Sequence, residues 1–288
     1  MSPRVGFIGL GNQGKPIAAH FPRGGFETVV FDLAPEPVAE LVEAGARGVS
    51  TPREVGENAE VVGLCVPEDK HVLAVVLGEE GLLAGMSRGG LVLIHSTVLP
   101  ETIEAVARAA AERGIEVLDA CVTGGAIRAA SRELTYLVGG SDDAFHQAKF
   151  YFDATTDVAP IHAGELGMGA KLKLCINLIT YIQWAAAFES MILARAVGLP
   201  QEVLEEAARS NGQLTGMMSA YLGTHKAPES VRSSADFQAA MRRNMLIAEK
   251  DLAWALQLAR QSEIALPVGG LISQSMARLY GVEDEGRR

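Results

Sequence analysis

Cysteine is scarce in this chain, with three residues in 288: Cys65, Cys121 and Cys175, far apart in sequence. That scarcity argues against a disulfide framework, and no pair has the spacing of a metal site, so none is expected; a reducing compartment fits best. Long apolar runs are missing too. None reaches the roughly 18 residues of a membrane span, so no membrane association is expected. Basic residues are outnumbered, 25 Lys and Arg against 35 Asp and Glu, for a net charge of −10. With no basic stripe to neutralise phosphates, nucleic acid is excluded as a partner. Internal repeats and low-complexity tracts are also absent.

What is present is a glycine turn in a telling context. Gly9-Leu10-Gly11-Asn12-Gln13-Gly14 lies between the apolar run Val5–Ile8 and a helix-like stretch, and Asp32 ends the next apolar run. A lone GxGxxG is weak, but strand, turn, helix, strand and terminal acid together describe a dinucleotide-binding βαβ unit. The first glycine permits the turn, the second admits the pyrophosphate, and the third lets helix and strand pack closely. Helix N–H groups then face the phosphates. Asp32 follows Gly14 by 18 residues, near the usual spacing of about 20 for the acid that binds the adenosine ribose. Its charge would repel a 2′-phosphate, and Leu33 follows it instead of an arginine, so NAD is favoured over NADP. The turn sits too near Met1 for a targeting peptide to precede it, and a cytoplasmic protein is expected.

At this length two domains are expected, and 48% apolar residues allow large cores. Expected strands are Arg4–Ile8, Thr28–Phe31, Val61–Cys65, Leu91–His95, Glu116–Ala120, Thr135–Val138 and a run near Val158–His162. Expected helices are Gln13–Phe21, Pro37–Ala44, Asp69–Val76, Pro100–Arg113 and Asp142–Phe152, the last capped at Ser141. This alternation implies an α/β fold: a mostly parallel, doubly wound sheet of Rossmann type. From Ala170 to Val197 runs a long helix without Pro or Gly, apolar nearly all round and therefore expected to be buried on most sides. Beyond it the chain reads as helical, with Gly223–Ser234 the main polar interruption and a frayed tail at Glu283–Arg288. The boundaries expected are 1–163 for the dinucleotide-binding domain and 164–288 for an all-α domain that begins with the long linking helix.

The second half also carries chemistry. Two glycines, Gly167 and Gly169, precede Lys173 and Asn177, which are spaced i,i+4 and so share a helix face. Glycines at the helix start would let another group, such as the nicotinamide, come close. A buried ammonium beside a hydroxyl can act as general acid/base, because desolvation lowers its pKa toward neutral. Asn177 can hold the same oxygen. Lys171 is the rival lysine but faces elsewhere on the helix. A lysine snorkelling from an apolar helix to water would have the same spacing.

These segments, in order, resemble the β-hydroxyacid dehydrogenase family, of which 3-hydroxyisobutyrate dehydrogenase is the best-known member. Gly9–Gly14 is similar to its GLGxMG turn, with Gln13 for Met. Asp119-Ala-Cys-Val-Thr-Gly-Gly125 looks like its DAPVSGG, Gly167 through Asn177 like its GxGxxxKxxxN, and Lys250-Asp251-Leu252 like its late KDL. The resemblance implies Lys173 as general acid/base and Asn177 orienting the reacting oxygen. Thr123 with the Gly124 and Gly125 amides would grip the substrate carboxylate. Val66, Pro67, Thr97 and Lys250 would contact cofactor, while Ser96 and Asp251 would lie at the substrate. It implies a site in an interdomain cleft, a small hydroxy- or oxo-carboxylic acid substrate, and a homodimer or homotetramer.

Departures from the family pattern gather at the substrate end. Cys121 replaces Pro, Thr123 replaces Ser, Arg132 stands where Gly is usual, and Ile94-His95 replaces the start of DxST. Arg243, eight residues before Asp251, is an extra guanidinium that would suit a second carboxylate or a surface salt bridge. His95 is expected to pack at a strand end, and the three cysteines to be small buried hydrophobes. The leading reading is an NAD-dependent 3-hydroxyacid dehydrogenase, or equivalently a semialdehyde reductase, NADP-dependent in the alternative. Imine reductases of the same superfamily usually carry Asp or Tyr at the Lys173 position. Similar sugar-phosphate dehydrogenases have His where Ile176 stands. A non-catalytic NAD-binding protein would not need Lys173, Asn177 and the Gly-Gly grip together.

Overall fold

The computed structural model describes residues 3–284 and 286. The chain divides into two compact units, Met1–Lys173 and Leu174–Arg288. In the first, eight strands form one sheet: β1 Val5–Ile8, β2 Thr28–Phe31, β3 Arg47–Gly48, β4 Val61–Leu64, β5 Leu91–Ile94, β6 Glu116–Thr123, β7 Thr135–Gly139 and β8 Ile161–Gly164. Their order is β3-β2-β1-β4-β5-β6-β7-β8. All pairs are parallel except β6 with β7. The first six strands follow the dinucleotide-binding order, which reverses between β1 and β4 and so opens a crevice at their carboxyl ends. Strands buried on both faces read as continuous apolar runs, as in β4 and β5, whose residues are all buried. Phe7, Phe21, Tyr136, Tyr151 and Phe152 centre the core.

Several expected elements change at their ends. The helix expected over Gln13–Phe21 is two, Gly14–Ala18 and His20–Arg23, meeting at Ala19. That expected over Asp142–Phe152 divides at Ala148 into Asp142–Gln147 and Lys149–Thr155. β6 runs on to Thr123 because its antiparallel ladder with β7 continues through the pair Thr123–Thr135. β3 and the helices Pro52–Asn58, Leu82–Gly85 and Gly125–Ala130 were not expected. They are too short for a period to show.

The helix Met168–Ala196 begins in the first unit and continues through the second. The second unit adds Gln201–Ser210, Gly216–Thr224, Glu229–Arg232, Ala235–Gln261, Pro267–Ser273 and Met276–Tyr280. Tyr181, Phe188, Met191, Leu222, Met245 and Met276 lie in its core. The long helix is buried or half-buried on most sides and leaves one exposed stripe, formed by Cys175, Ile179, Gln183, Ala186, Ser190 and Leu193. Cys175 is therefore not the buried hydrophobe expected, which corrects that reading. The expected fraying is also corrected at Glu283 and Asp284. Arg242 donates to the Glu283 carbonyl and the Asp284 carboxylate, both at 2.9 Å. Residues 285, 287 and 288 of that tail lie outside the described ones. Among the described residues no helix is long and apolar enough to cross a membrane.

Candidate active site

The chain leaves β1 at Gly9, which has φ 90°. A side chain there would strike the Cys65 carbonyl at the end of β4, and one at Gly14 would strike the Gly9 carbonyl. Gly11 is exposed, and a Cβ on it would meet nothing within 4 Å. The turn is therefore closed behind and open in front, as backbone contact with a pyrophosphate requires. Asn12 is exposed beside it. The Gln13 side-chain nitrogen is buried without a hydrogen-bond partner, an orphaned donor in the turn that suits an acceptor-rich ligand. These residues fit a dinucleotide.

Asp32 does more than its spacing suggested. Its Oδ2 accepts the Leu10 N–H at 2.5 Å and its Oδ1 the Ala34 N–H at 2.8 Å. The carboxylate thus fastens the glycine turn to the end of β2, with lone pairs left for ribose hydroxyls. Leu33, 92% exposed, brings no cation for a 2′-phosphate.

At the ends of β4 and β5, the Val66 N–H donates to Ser96 Oγ at 2.8 Å. Ser96 is buried, so its hydroxyl ties two loops where contact with substrate was expected. Val66 and Thr97 are half-buried and Pro67 is exposed. His95 packs as expected. Its Nδ1 donates to the Ala120 carbonyl at 2.7 Å, which leaves Nε2 to accept from the Tyr151 hydroxyl at 2.8 Å. Phe7 and Tyr151 stack on its ring. Burial lowers its pKa to about 4, so it is a neutral core group.

β6 carries Asp119 and, four residues on, the half-buried Thr123. Gly124 and Gly125 follow at φ 129° and 77° and open the short helix Gly125–Ala130. Asp119 is fully buried. Its Oδ1 accepts the Gly167 N–H and its Oδ2 the Ala170 N–H, both at 2.7 Å. Burial pushes its pKa up, against the pull of these N–H groups. A carboxylate from β6 therefore caps the helix Met168–Ala196, where the dipole favours negative charge. Sequence reasoning quoted Asp119 without seeing this role, because a residue 51 positions from Ala170 gives no local capping signal.

Gly169, at this helix start, faces a different neighbour from the one expected. A Cβ on Gly169 would lie 2.5 Å from the Leu137 carbonyl and 2.6 Å from that of Asp119. What approaches Gly169 is β6 and β7, whereas a Cβ on Gly167 would meet only Pro100, at 3.7 Å. Lys173 lies one turn beyond Ala170 and is half-buried, like Lys171. Residue burial does not separate the two lysines.

In the second unit, buried Asn177 donates Nδ2–H to Asp251 Oδ2 at 2.8 Å, and the Tyr181 hydroxyl donates to the same oxygen at 3.3 Å. Lys250 Nζ stands 3.0 Å from Asp251 Oδ1. Burial, then the Asp251 charge, raises the Tyr181 pKa well above its ordinary value. Tyr181 stays a neutral donor. It was missed because a buried tyrosine on an apolar helix reads as core. Arg243 is exposed on the helix Ala235–Gln261, two turns before Asp251.

The departures are absorbed locally. Arg132 keeps a left-handed φ of 61°. Its guanidinium holds Asp157 Oδ1 at 2.8 Å and the carbonyls of Asp153 and Ala154. Cys121 is buried, with Sγ 3.5 Å from the Ser96 carbonyl. Burial pushes the Cys65 thiol up to about 12. A cleft of about 550 Å³ lined by Arg88, Ile115, Glu116, Gly140 and Leu166 opens at the amino end of β6. That is the sheet edge opposite the glycine turn, so it is not this site.

Residues 4–164 match the family described as the NAD binding domain of 6-phosphogluconate dehydrogenase. Residues 167–287 match that described as NAD-binding of NADP-dependent 3-hydroxyisobutyrate dehydrogenase. The chain belongs to the β-hydroxyacid dehydrogenase family. It is 34% identical over 268 residues to the NAD-dependent L-serine dehydrogenase of Pseudomonas aeruginosa, covering 93% of this chain and 89% of that protein. It is likewise 34% identical over 271 residues to the 3-hydroxyisobutyrate dehydrogenase of that organism, with the same coverage. The crystal structure of 3-hydroxyisobutyrate dehydrogenase from Salmonella typhimurium superposes with a TM-score of 0.84 at 26% identity, covering 96% of this chain and 94% of that one. The protein is accordingly an NAD(P)-dependent hydroxyacid dehydrogenase.

Proposed function

We propose that the chain interconverts a small 3-hydroxyacid and its semialdehyde or oxo acid, with NAD favoured over NADP and Lys173 as general acid/base. The observation that carries this reading is the construction of one helix. Asp119 holds its start through Gly167 and Ala170, and Asp251 holds Asn177. Lys173 lies on the same helix between these two anchors, i,i+4 to Asn177, a spacing that supports a shared reacting oxygen. Bound NAD(P) supplies the hydride acceptor or donor. Lys173 takes the hydroxyl proton during oxidation and returns it during reduction. Asn177 orients the same oxygen. Thr123 and the Gly124 and Gly125 amides hold the carboxylate, because converging N–H groups favour an anion.

Asp32 and the uncharged rim at Leu33 support NAD. Lys250 balances the Asp251 charge and is assigned to the cofactor end, while Arg243 would select a second carboxylate. The exposed apolar side chains Cys175, Ile179, Ala186 and Leu193, on one stripe of the long helix, support a homodimer or homotetramer of a cytoplasmic enzyme, since exposed apolar surface favours contact between copies. The test is a panel of 3-hydroxyisobutyrate, serine, glycerate and 3-hydroxypropionate, assayed with NAD and then NADP. Turnover of at least one acid with about tenfold preference for NAD is expected. Equal rates with both cofactors would remove the Asp32 argument, and inertness toward all four acids would remove the substrate assignment.

A further inference from the structure

Two loops at the carboxyl ends of β4 and β5 carry Val66, Pro67 and Thr97, and the structure ties them together twice. One tie is the Val66 N–H to Ser96 Oγ bond. The other comes from Asp69, whose Oδ1 accepts the Leu99 N–H at 2.9 Å and the Thr102 hydroxyl at 2.7 Å. Leu99 is the cap residue of the helix Pro100–Ala111 and has no side-chain oxygen to offer it. Asp69, in the first turn of its own helix Asp69–Leu77, instead takes the N–H of Leu99 itself and the Thr102 hydroxyl, anchoring this helix start from outside. One carboxylate therefore serves two helix starts, each of which favours a negative charge.

We propose that Asp69 is a positioning residue for the dinucleotide: by binding Leu99 and Thr102 it locks the Val66–Pro67 and Ser96–Thr97 loops into the shape that receives the cofactor. The inference rests on the dinucleotide reading of the glycine turn. Without this tie the loops sample other shapes, and apparent affinity falls by the fraction of molecules that remain competent. The loss belongs to cofactor binding and not to the chemical step. The second carboxylate oxygen is buried without a partner. An asparagine that keeps Oδ1 in place therefore preserves both accepted bonds, whereas alanine removes them.

NADH and NADPH binding would be measured by fluorescence on the purified full chain and on Asp69→Ala, Asp69→Asn and Thr102→Val. Asp69→Ala is expected to raise Kd about tenfold, with kcat at saturating cofactor changed by less than about twofold. Asp69→Asn is expected to return Kd to within about threefold of wild type, a rescue that loss of charge alone would not give. Should Asp69→Ala not fold, Thr102→Val carries the test with a rise of about threefold. An unchanged Kd in the folded alanine or valine variant would overturn the proposal, as would an asparagine variant as weak as alanine. A wild-type chain that binds neither nucleotide would instead overturn the dinucleotide reading itself.

Discussion

Asn177 donates its amide to Asp251 at 2.8 Å, across 74 residues of chain. A carboxylate only accepts, so Nδ2 must face Asp251, and Oδ1 lies at the opposite end of the amide. The second Nδ2–H, held in a fixed direction, would then donate to the reacting oxygen, whose single proton is left for Lys173.

Asp251→Ala should leave Asn177 unoriented and the Tyr181 hydroxyl without its acceptor. A misplacement of this kind costs about 100-fold in turnover. Steady-state kinetics with a thermal melt would separate the two effects. Tyr181→Phe removes a longer contact and should lower kcat by less than about fivefold. Equal losses in both variants would contradict the assignment.

Burial sets a pH dependence at His95. Its pKa falls from 6.5 to about 4 in the folded chain. The unfolded chain binds more protons between these values, so stability is full above pH 6.5 and is lost as pH falls toward 4. The shift corresponds to about 3 kcal/mol. Urea unfolding at pH 7 and pH 4.5 should show a drop of this order for wild type and a smaller one for His95→Phe. A drop of the same size in the variant would assign the acid sensitivity elsewhere.

Gly169→Ala places a methyl against the Leu137 and Asp119 carbonyls. Neither is a flexible side-chain tip, so the helix start must shift, at a cost of about 1–3 kcal/mol or more. A lower Tm and reduced turnover are expected together. A variant with the wild-type melt would show that the helix start has room.

The parts legible in the sequence were those with local signals. The glycine turn, Asp32 and the alternating apolar runs carry their spacing openly, and the long helix shows by its lack of Pro and Gly. The roles of Asp119 and Asp251 were not legible as structure, because each works through residues 48 to 74 positions away. Gly169 was read in the right place with the wrong neighbour: sequence shows that a close approach is needed, but not that β6 and β7 make it. The exposed stripe on the long helix was hidden because its apolar residues continue on every face. Composition alone does not say which face is left uncovered.

The central claim is that the Lys173 amine moves the substrate proton, and Lys173→Ala tests it most directly. NADH affinity should stay within about threefold of wild type while kcat falls about 10²- to 10⁴-fold, the usual worth of a general acid/base. Turnover within about tenfold of wild type, with cofactor binding intact, would contradict it.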